Sequence, residues 1–242
     1  MPALVSWLLR ACPGGRGGGR FARVSRSEDA RRGIRLPELA STDRAALDAL
    51  LDSALVGHFA LVADDGTPAI LPTAVIRDGD RVLCHGSTGS RWMRRLATGV
   101  PTALAVTSYD GLVVARSAFE SSIHYRSAVI FGSCTPVTED KEHVLDLVTD
   151  RLLPGRVAEV RRHTLAELAA TQVLALPLDD WSLRISDGWP EDEPDDIAGP
   201  AWAGVVPLAP VWGEPLPAPD LADGIEVPPS VHGLSRPAAG RS

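Results

Sequence analysis

Between residues 58 and 116 the chain consists mainly of short apolar runs that are separated by tight turns. The run at 58–63 ends at Asp64-Asp65-Gly66, and the run at 68–77 ends at Asp78-Gly79-Asp80. Asp and Gly residues between apolar runs are strong signals of β-hairpins. Because strands that follow one another without crossover helices cannot pair in parallel, the sequence predicts an antiparallel sheet that closes into a barrel.

Further turns and helices complete the predicted fold. A third hairpin is predicted at Asp110-Gly111, and additional strands at 81–85, 128–137, 172–178 and 181–185. Ser41-Thr42-Asp43 is a good helix N-cap cluster, and apolar residues follow it at helical spacing. Shorter helices are predicted at 90–98, 138–152 and 164–171. The predicted fold class is therefore mainly β (α+β), with helices packed outside the barrel.

The composition excludes several classes of function. Lysine and arginine total 24 against 31 aspartate and glutamate, which gives a net charge of −7. Nucleic-acid binding is therefore the weakest of the functional hypotheses. Cys12, Cys84 and Cys134 lie far apart without a CxxC pair, so neither a disulfide framework nor a zinc site is predicted. That cysteine usage favours a reducing, cytoplasmic compartment. No apolar run reaches the roughly 18 residues of a membrane span.

The two ends of the chain differ in composition from the middle. Residues 1–33 contain no acidic residue before Glu28 and are predicted to be a disordered leader, with a transit peptide as the alternative. Eleven of the 20 prolines lie from residue 189 onward. Residues 34–188 are predicted to form the barrel, residues 189–234 a proline-rich arm on the barrel or on a partner subunit, and residues 235–242 a loose tail. The acidic run 191–196 is predicted to be solvated.

The most distinctive local motif is the segment 84–91, Cys-His-Gly-Ser-Thr-Gly-Ser-Arg. A predicted strand here enters a Gly/Ser/Thr loop that opens a helix, which is an arrangement suited to a phosphate group. Arg91 could add a charge-assisted bond to that phosphate. An ordinary helix N-cap is the alternative, since Ser, Thr and Gly commonly begin helices. The segment matches neither a Walker A loop nor the dinucleotide-binding glycine fingerprint.

Two other features are less specific. The polar stretch 116–127 lies between apolar runs and is either the lip of a ligand pocket or a solvated loop. The six histidines include no H-x-H and no H-E-x-x-H pair, so a metal site is not supported. His85, at its predicted strand end, is interpreted as a structural residue.

Six short segments, in their order along the chain, carry a resemblance to a known family. Over residues 34–234 the sequence resembles the pyridoxamine 5′-phosphate oxidase-like flavin-nucleotide-binding proteins, in the branch that includes the nitroimidazole-resistance proteins. The segments are Gly57-His58-Phe59-Ala60, His85-Gly86-Ser87-Thr88-Gly89-Ser90, Ala115-Arg116-Ser117-Ala118-Phe119, Tyr125-Arg126-Ser127, Pro154-Gly155-Arg156 and Trp202-Ala203-Gly204-Val205-Val206-Pro207-Leu208.

The resemblance implies an FMN-binding split β-barrel, usually a homodimer with two flavins at the subunit interface. It implies that Ser87, Ser90 and Arg91 hold the FMN phosphate, and that Thr73 and Val75 line the isoalloxazine edge. By the same resemblance Tyr125 and Ser127 lie near the flavin from the same or the second subunit, and Trp202 covers it. His85, within the second segment, is retained with these residues as a cofactor-binding candidate.

The implied activity is an FMN-dependent oxidoreductase that acts on a small nitro- or quinone-like molecule. Because the flavin supplies the redox step, no side chain is named as catalytic. The arginines and histidine with which the true oxidases grip pyridoxamine phosphate have no counterpart in this chain, so vitamin B6 chemistry is not expected. The alternative from another class is a protein that binds flavin, deazaflavin or haem without turnover. A haem would need a histidine that reaches the pocket, and His58, His85 and His124 are the candidates.

Overall fold

The computed structural model describes residues 37–234. The predictions for the leader at 1–33 and for the tail at 235–242 lie outside these residues. Ten strands form one sheet in which every pairing is antiparallel, which confirms the predicted fold class. The strands are β1 (Ala40–Ser41), β2 (Val56–Val62), β3 (Pro68–Asp78), β4 (Arg81–Ser87), β5 (Pro101–Val114), β6 (Ser122–Ser133), β7 (Thr135–Pro136), β8 (Thr171–Pro177), β9 (Asp180–Ser186) and β10 (Gly204–Pro207).

Six α-helices of the described residues lie around this sheet. Asp43 begins the first of them as predicted, since its side chain accepts hydrogen bonds from the backbone N–H groups of Ala45 and Ala46. The helices are α1 (Arg44–Ser53), α2 (Arg91–Ala97), α3 (Lys141–Leu152), α4 (Leu165–Ala170), α5 (Pro194–Ile197) and α6 (Pro229–Leu234).

The order of the strands makes the sheet an open, split barrel. The path runs β1-β9-β6-β5-β2-β3-β4-β8-β7, and β10 joins β5 beside it. Strand β7 follows β6 after the single residue Cys134, so one stretch of chain pairs with β5 and β9 and then with β8. Pairing between β3 and β4 ends at Val75 and Cys84, although β4 continues to Ser87. The barrel is therefore open between these two strands.

The interior is filled by alternate residues of the strands. Phe59 of β2, Leu104 of β5 and Ile130 of β6 are fully buried there, as period-2 alternation requires. Helix α1 adds Leu47 and two further leucines to the same cluster and so covers the interior. Burial of each of these side chains contributes about 1.5–3 kcal/mol, so the barrel interior and α1 form a single core.

A second, smaller cluster fixes α3 against the outside of the barrel. Leu83 of β4 and Val173 of β8 pack there against Val144 and Leu145 of α3. Lys141, the single lysine of the chain, donates two hydrogen bonds of 2.8 Å to backbone carbonyls at the end of α4. This cation satisfies the terminal carbonyls of α4 and joins it to α3.

The predicted hairpin at Asp110-Gly111 is wrong. Strand β5 is continuous through this point, and Asp110 forms a β-bulge in its pairing with β6. The carboxylate of Asp110 accepts two 2.8 Å hydrogen bonds from Arg126, while Gly111 pairs with Pro207 of β10. A Cβ at Gly111 would lie 2.6 Å from the backbone oxygen of Val206. The glycine here therefore allows β5 and β10 to approach each other closely, and it does not form a turn.

The strand predicted at 128–137 is longer and interrupted. It begins six residues earlier, at Ser122, and breaks at Cys134 where the chain crosses to β8. Burial raises the pKa of Cys134 and of Cys84 to about 12, with a smaller contribution at Cys84 from the neighbouring Cys134. Both are free, unreactive core thiols.

Ion pairs connect α1 to the turn between β3 and β4 and to α3. Arg77 donates to both carboxylate oxygens of Asp52, at 2.9 and 2.6 Å, and Arg151 contacts the same carboxylate at 3.0 Å. Arg44 bridges Asp48 and Asp80. Hydrogen bonds from Arg77 hold the pKa of Asp52 below its ordinary value.

We predict that Asp52→Asn lowers the free energy of unfolding by about 1 kcal/mol at pH 7, because the pair is bidentate but partly solvated. The folded-state pKa of Asp52 is depressed, so its contribution is complete above the unfolded value of about 3.9. The contribution is lost as the pH falls through the lower folded value. Urea unfolding of both proteins at pH 7 and at steps below pH 4 measures the difference. If the difference in unfolding free energy between the two proteins grew as the pH fell, this would contradict the stabilising role of the ionised Asp52 carboxylate.

Candidate functional site

The loop between β4 and α2 is a compact turn held by its own backbone. The Ser87 hydroxyl accepts a hydrogen bond from the Gly89 N–H at 3.1 Å, and the Ser90 N–H donates to the Ser87 carbonyl at 3.0 Å. Thr88 donates from its N–H and its hydroxyl to the carbonyl of Ala170, at 2.9 and 3.2 Å. The last residue of α4 thus anchors the loop.

Several hydrogen-bonding groups of this loop have no partner in residues 37–234. Ser90 is the N-cap of α2, yet its side chain makes no capping bond. Arg91 is exposed, and no hydrogen bond or ion pair links it to the described part of the chain. The first N–H groups of a helix also lack intrahelical acceptors. A hydroxyl, a guanidinium and these N–H groups suit a phosphate, so the residues present fit the phosphate of a flavin nucleotide.

Thr73 and His85 lie on the two strands that separate beside this loop. Thr73 is half-buried, pairs with Gly57 of β2, and its hydroxyl has no hydrogen-bond partner among the described residues. His85 is half-buried on the opposite face of the sheet, next to Leu83, and burial lowers its pKa. Burial therefore favours the neutral form of its imidazole.

Val75 has a different environment from Thr73, although both face the interior. Its side chain is 1% exposed in the core, and its N–H donates to the carbonyl of Leu55 at 3.1 Å. A ligand at this strand could therefore reach only the backbone of Val75. The packing is tight here, since a Cβ at Gly57 would lie 2.7 Å from Leu104 and 3.0 Å from Val75.

Tyr125 and Ser127 lie on another part of the sheet. Both are half-buried on β6, and they face outward because the alternate residues Ala128 and Ile130 face the core. Three strands separate β6 from β4, which corresponds to about 19 Å along the sheet. In the strand order of one chain, these side chains therefore lie on a different part of the sheet from the loop at Ser87.

Trp202 also lies apart from the loop within one chain. Its side chain is 65% exposed, and its ring packs over Gly204 at the start of β10, where a Cβ would meet two ring carbons at 2.8 Å. Strand β10 pairs with the end of β5. Trp202, just before β10, therefore lies beside the extended β5–β6 hairpin that carries Tyr125.

The proline-rich arm packs on this hairpin through a contact that the sequence did not predict. Asp192, from the acidic run expected to be solvated, has a side chain that is only 1% exposed. It accepts hydrogen bonds from the backbone N–H and the guanidinium of Arg116, at 2.7 and 2.9 Å. Nearby, the His124 Nε2 lies 2.8 Å from the carbonyl of Gly188. At its other end the arm is held by Ser230, which bonds to Glu159.

The outer face of β2, β3, β5 and β6 is a further surface that sequence reasoning missed. It consists of alternate residues at 56–62, 70–76, 103–109 and 125–131, and it contains no Asp, Glu, Lys or Arg. Val56 and Ile70 are 51% and 69% exposed. His58 lies in the middle of this face, exposed and without a hydrogen-bond partner in residues 37–234. The alternation was visible in the sequence, but the neighbours of His58 depend on strand order.

Two kinds of site are not found in the described part of the chain. No three His, Cys, Asp or Glu side chains there are grouped so that they could hold a metal ion by themselves. No helix there is long and apolar enough to span a membrane.

Comparison of the sequence with models of known protein families shows which family this chain belongs to. Residues 43–185 match the family model described as pyridoxamine 5′-phosphate oxidase. The chain belongs to this family. Its split barrel is the flavin-binding fold of the pyridoxamine oxidase-like proteins, as the resemblance predicted.

Solved structures include two similar members of the pyridoxamine oxidase-like group. The first is described as an FAD and heme binding protein from Mycobacterium smegmatis; it is 52% identical, covers 81% of this chain and 97% of its own, and has a TM-score of 0.78. The second is the flavocytochrome Anf3 from Azotobacter vinelandii, with 31% identity, coverage of 85% and 96%, and a TM-score of 0.78.

A third solved structure shows the fold alone. It is described as a putative 5-nitroimidazole antibiotic resistance protein from Bacteroides thetaiotaomicron, with 14% identity, coverage of 60% and 86%, and a TM-score of 0.51. A comparison with curated protein sequences finds no match.

Proposed function

We propose that this chain is a redox protein that binds a flavin and a haem. The observation that carries the proposal is its 52% identity, over 81% of its length, to a protein described as binding FAD and heme. A flavocytochrome of 31% identity supports the same pair of cofactors. When bound, a flavin supplies two-electron or one-electron chemistry and a haem supplies one-electron chemistry.

The loop at Ser87, Ser90 and Arg91 is the proposed seat of the flavin phosphate. The loop is held rigid through Thr88, so little ordering entropy is lost when an anion binds. The free hydroxyl of Thr73 lies at the opening between β3 and β4 and can orient the flavin by hydrogen bonding. FMN was the cofactor predicted, and the description of the 52% identical relative makes FAD the stronger candidate. Deazaflavin is a further alternative.

Oxidation or reduction of a small nitro- or quinone-like molecule is the narrower form of the proposal. The nitroimidazole-resistance likeness is too distant to support that substrate class. A non-catalytic cofactor-binding protein is the alternative, and reoxidation of the reduced cofactor by a quinone or a nitroaromatic compound separates the two. A cytoplasmic location is proposed as well, because Cys84 and Cys134 are free thiols.

A homodimer is the proposed assembly. Within one chain, three strands separate Tyr125 and Ser127 on β6 from β4, which leads into the loop at Ser87. A second copy placed against the uncharged outer face would bury Val56 and Ile70 and could bring its Tyr125 and Ser127 to that loop. Exposed apolar patches of this kind mark interaction surfaces.

The assembly is tested by light scattering of the purified protein after size-exclusion chromatography. We expect a molar mass near twice the 25.6 kDa of one chain. Ile70→Asp is expected to shift the mass toward that of one chain, because a carboxylate would be buried at the interface. A wild-type protein that remains monomeric at high concentration would overturn the dimer.

The cofactor proposal is tested by the absorption spectrum of the purified protein from 300 to 700 nm. A flavin gives bands near about 370 and 450 nm, and a haem gives an intense Soret band near about 400 nm. We expect both sets of bands, with the flavin identified as FAD or FMN by chromatography after denaturation. A colourless protein that takes up neither flavin nor hemin would refute the proposed function.

The phosphate loop is tested by Arg91→Ala, with Arg94→Ala as the matched control. Both arginines are exposed on α2 and neither has a partner in the described residues, but only Arg91 stands in its first turn. Loss of a charge-assisted phosphate bond is expected to weaken flavin binding by about 1.5–3 kcal/mol. Flavin fluorescence titration measures the dissociation constants. Equal affinities of the two variants would place the phosphate elsewhere.

A further inference from the structure

His58 is one of three histidines of the described residues, with His143 and His232, whose rings are exposed and free, and it alone of these three lies on a strand rather than on a helix. It lies on β2 with Pro72 of β3 on one side and Ala105 of β5 on the other. Its side chain forms no hydrogen bond or ion pair within residues 37–234. Both ring nitrogens are therefore available to an outside group.

The surface around His58 is apolar and uncharged. Its direct neighbours on the outer face are a proline and an alanine, and Ala60 and Ala103 follow in the next row. Ile70, 69% exposed, forms the apolar edge of that row. The small side chains on either side leave the imidazole accessible on an uncharged part of the sheet. A porphyrin ring is planar and largely apolar, and its iron takes an imidazole nitrogen as a ligand.

His124 and His85, the other two histidines named for haem binding, and His163 have different surroundings. His124 already uses its Nε2 against the carbonyl of Gly188 at 2.8 Å. His85 is half-buried beside the phosphate loop, next to the second core cluster under α3. His163 lies 3.4 Å from the carboxylate of Asp146. None of the three stands on an open apolar surface.

We infer that His58 is the axial ligand through which this chain binds a haem iron, with the uncharged outer face of β2, β3 and β5 as the surface that receives the porphyrin. The inference rests on the proposed haem function and assigns it to one residue. Because the same face is proposed for the dimer, the haem site lies at or beside the subunit interface.

The test is titration of haem-free protein with ferric protoporphyrin IX, followed by absorption and electron paramagnetic resonance spectroscopy. The wild type is expected to show a saturable Soret shift with the signature of a histidine-ligated ferric iron. His58→Ala is expected to bind more than about tenfold more weakly and to lose that signature. Millimolar imidazole should restore the signature in His58→Ala, since the added ring replaces the missing ligand.

His143→Ala and His232→Ala, which remove exposed and free histidines that lie on helices, are the matched controls, and both should keep the wild-type spectrum. Light scattering and thermal unfolding of each variant separate loss of a ligand from loss of the dimer or of the fold, and His58→Gln serves if the alanine variant is unstable. A wild type that takes up no hemin refutes the haem function itself. A His58 variant that retains the full spectrum, while the wild type binds haem, overturns this inference alone.

Discussion

The fold depends on the strand that β6 and β7 make together. This stretch pairs with β5 and β9 up to Ser133, and after Cys134 it pairs with β8 at the other end of the sheet. The sheet must curl to satisfy both sets of backbone hydrogen bonds, since unpaired backbone groups are costly when buried. The curl encloses the apolar faces of the strands, and α1 covers what remains open.

Because that interior is filled, it has no room for a flavin or a haem. Val75, predicted to contact a flavin, shows the consequence: its side chain is enclosed, and only its backbone is available. The proposed flavin and haem sites therefore lie where strands separate and on the outer face. The opening between β3 and β4 offers Thr73 and the loop at Ser87, and the outer face offers His58 on an uncharged surface.

Local sequence signals predicted what local geometry controls. The turns at Asp64-Asp65-Gly66 and Asp78-Gly79-Asp80 form as predicted, with Gly66 and Gly79 at positive φ. Asp110-Gly111 carries the same signal, yet it lies within a strand. There Arg126 neutralises the aspartate and β10 pairs with the glycine, two partners that lie 16 and about 95 residues away. Asp192 likewise escaped prediction because Arg116, its partner, lies 76 residues distant.

The sequence by itself determined the family, the antiparallel fold class and the strand–loop–helix arrangement at residues 84–91, because periodicity, turns and loop motifs are contiguous. Only the tertiary structure decided which outward-facing residues share a surface. His58, Ile70 and Ala105 are neighbours solely because β2 pairs with both β3 and β5 in one particular register. A shift of a single residue in that register would turn His58 toward the core, since successive strand residues face opposite sides of a sheet.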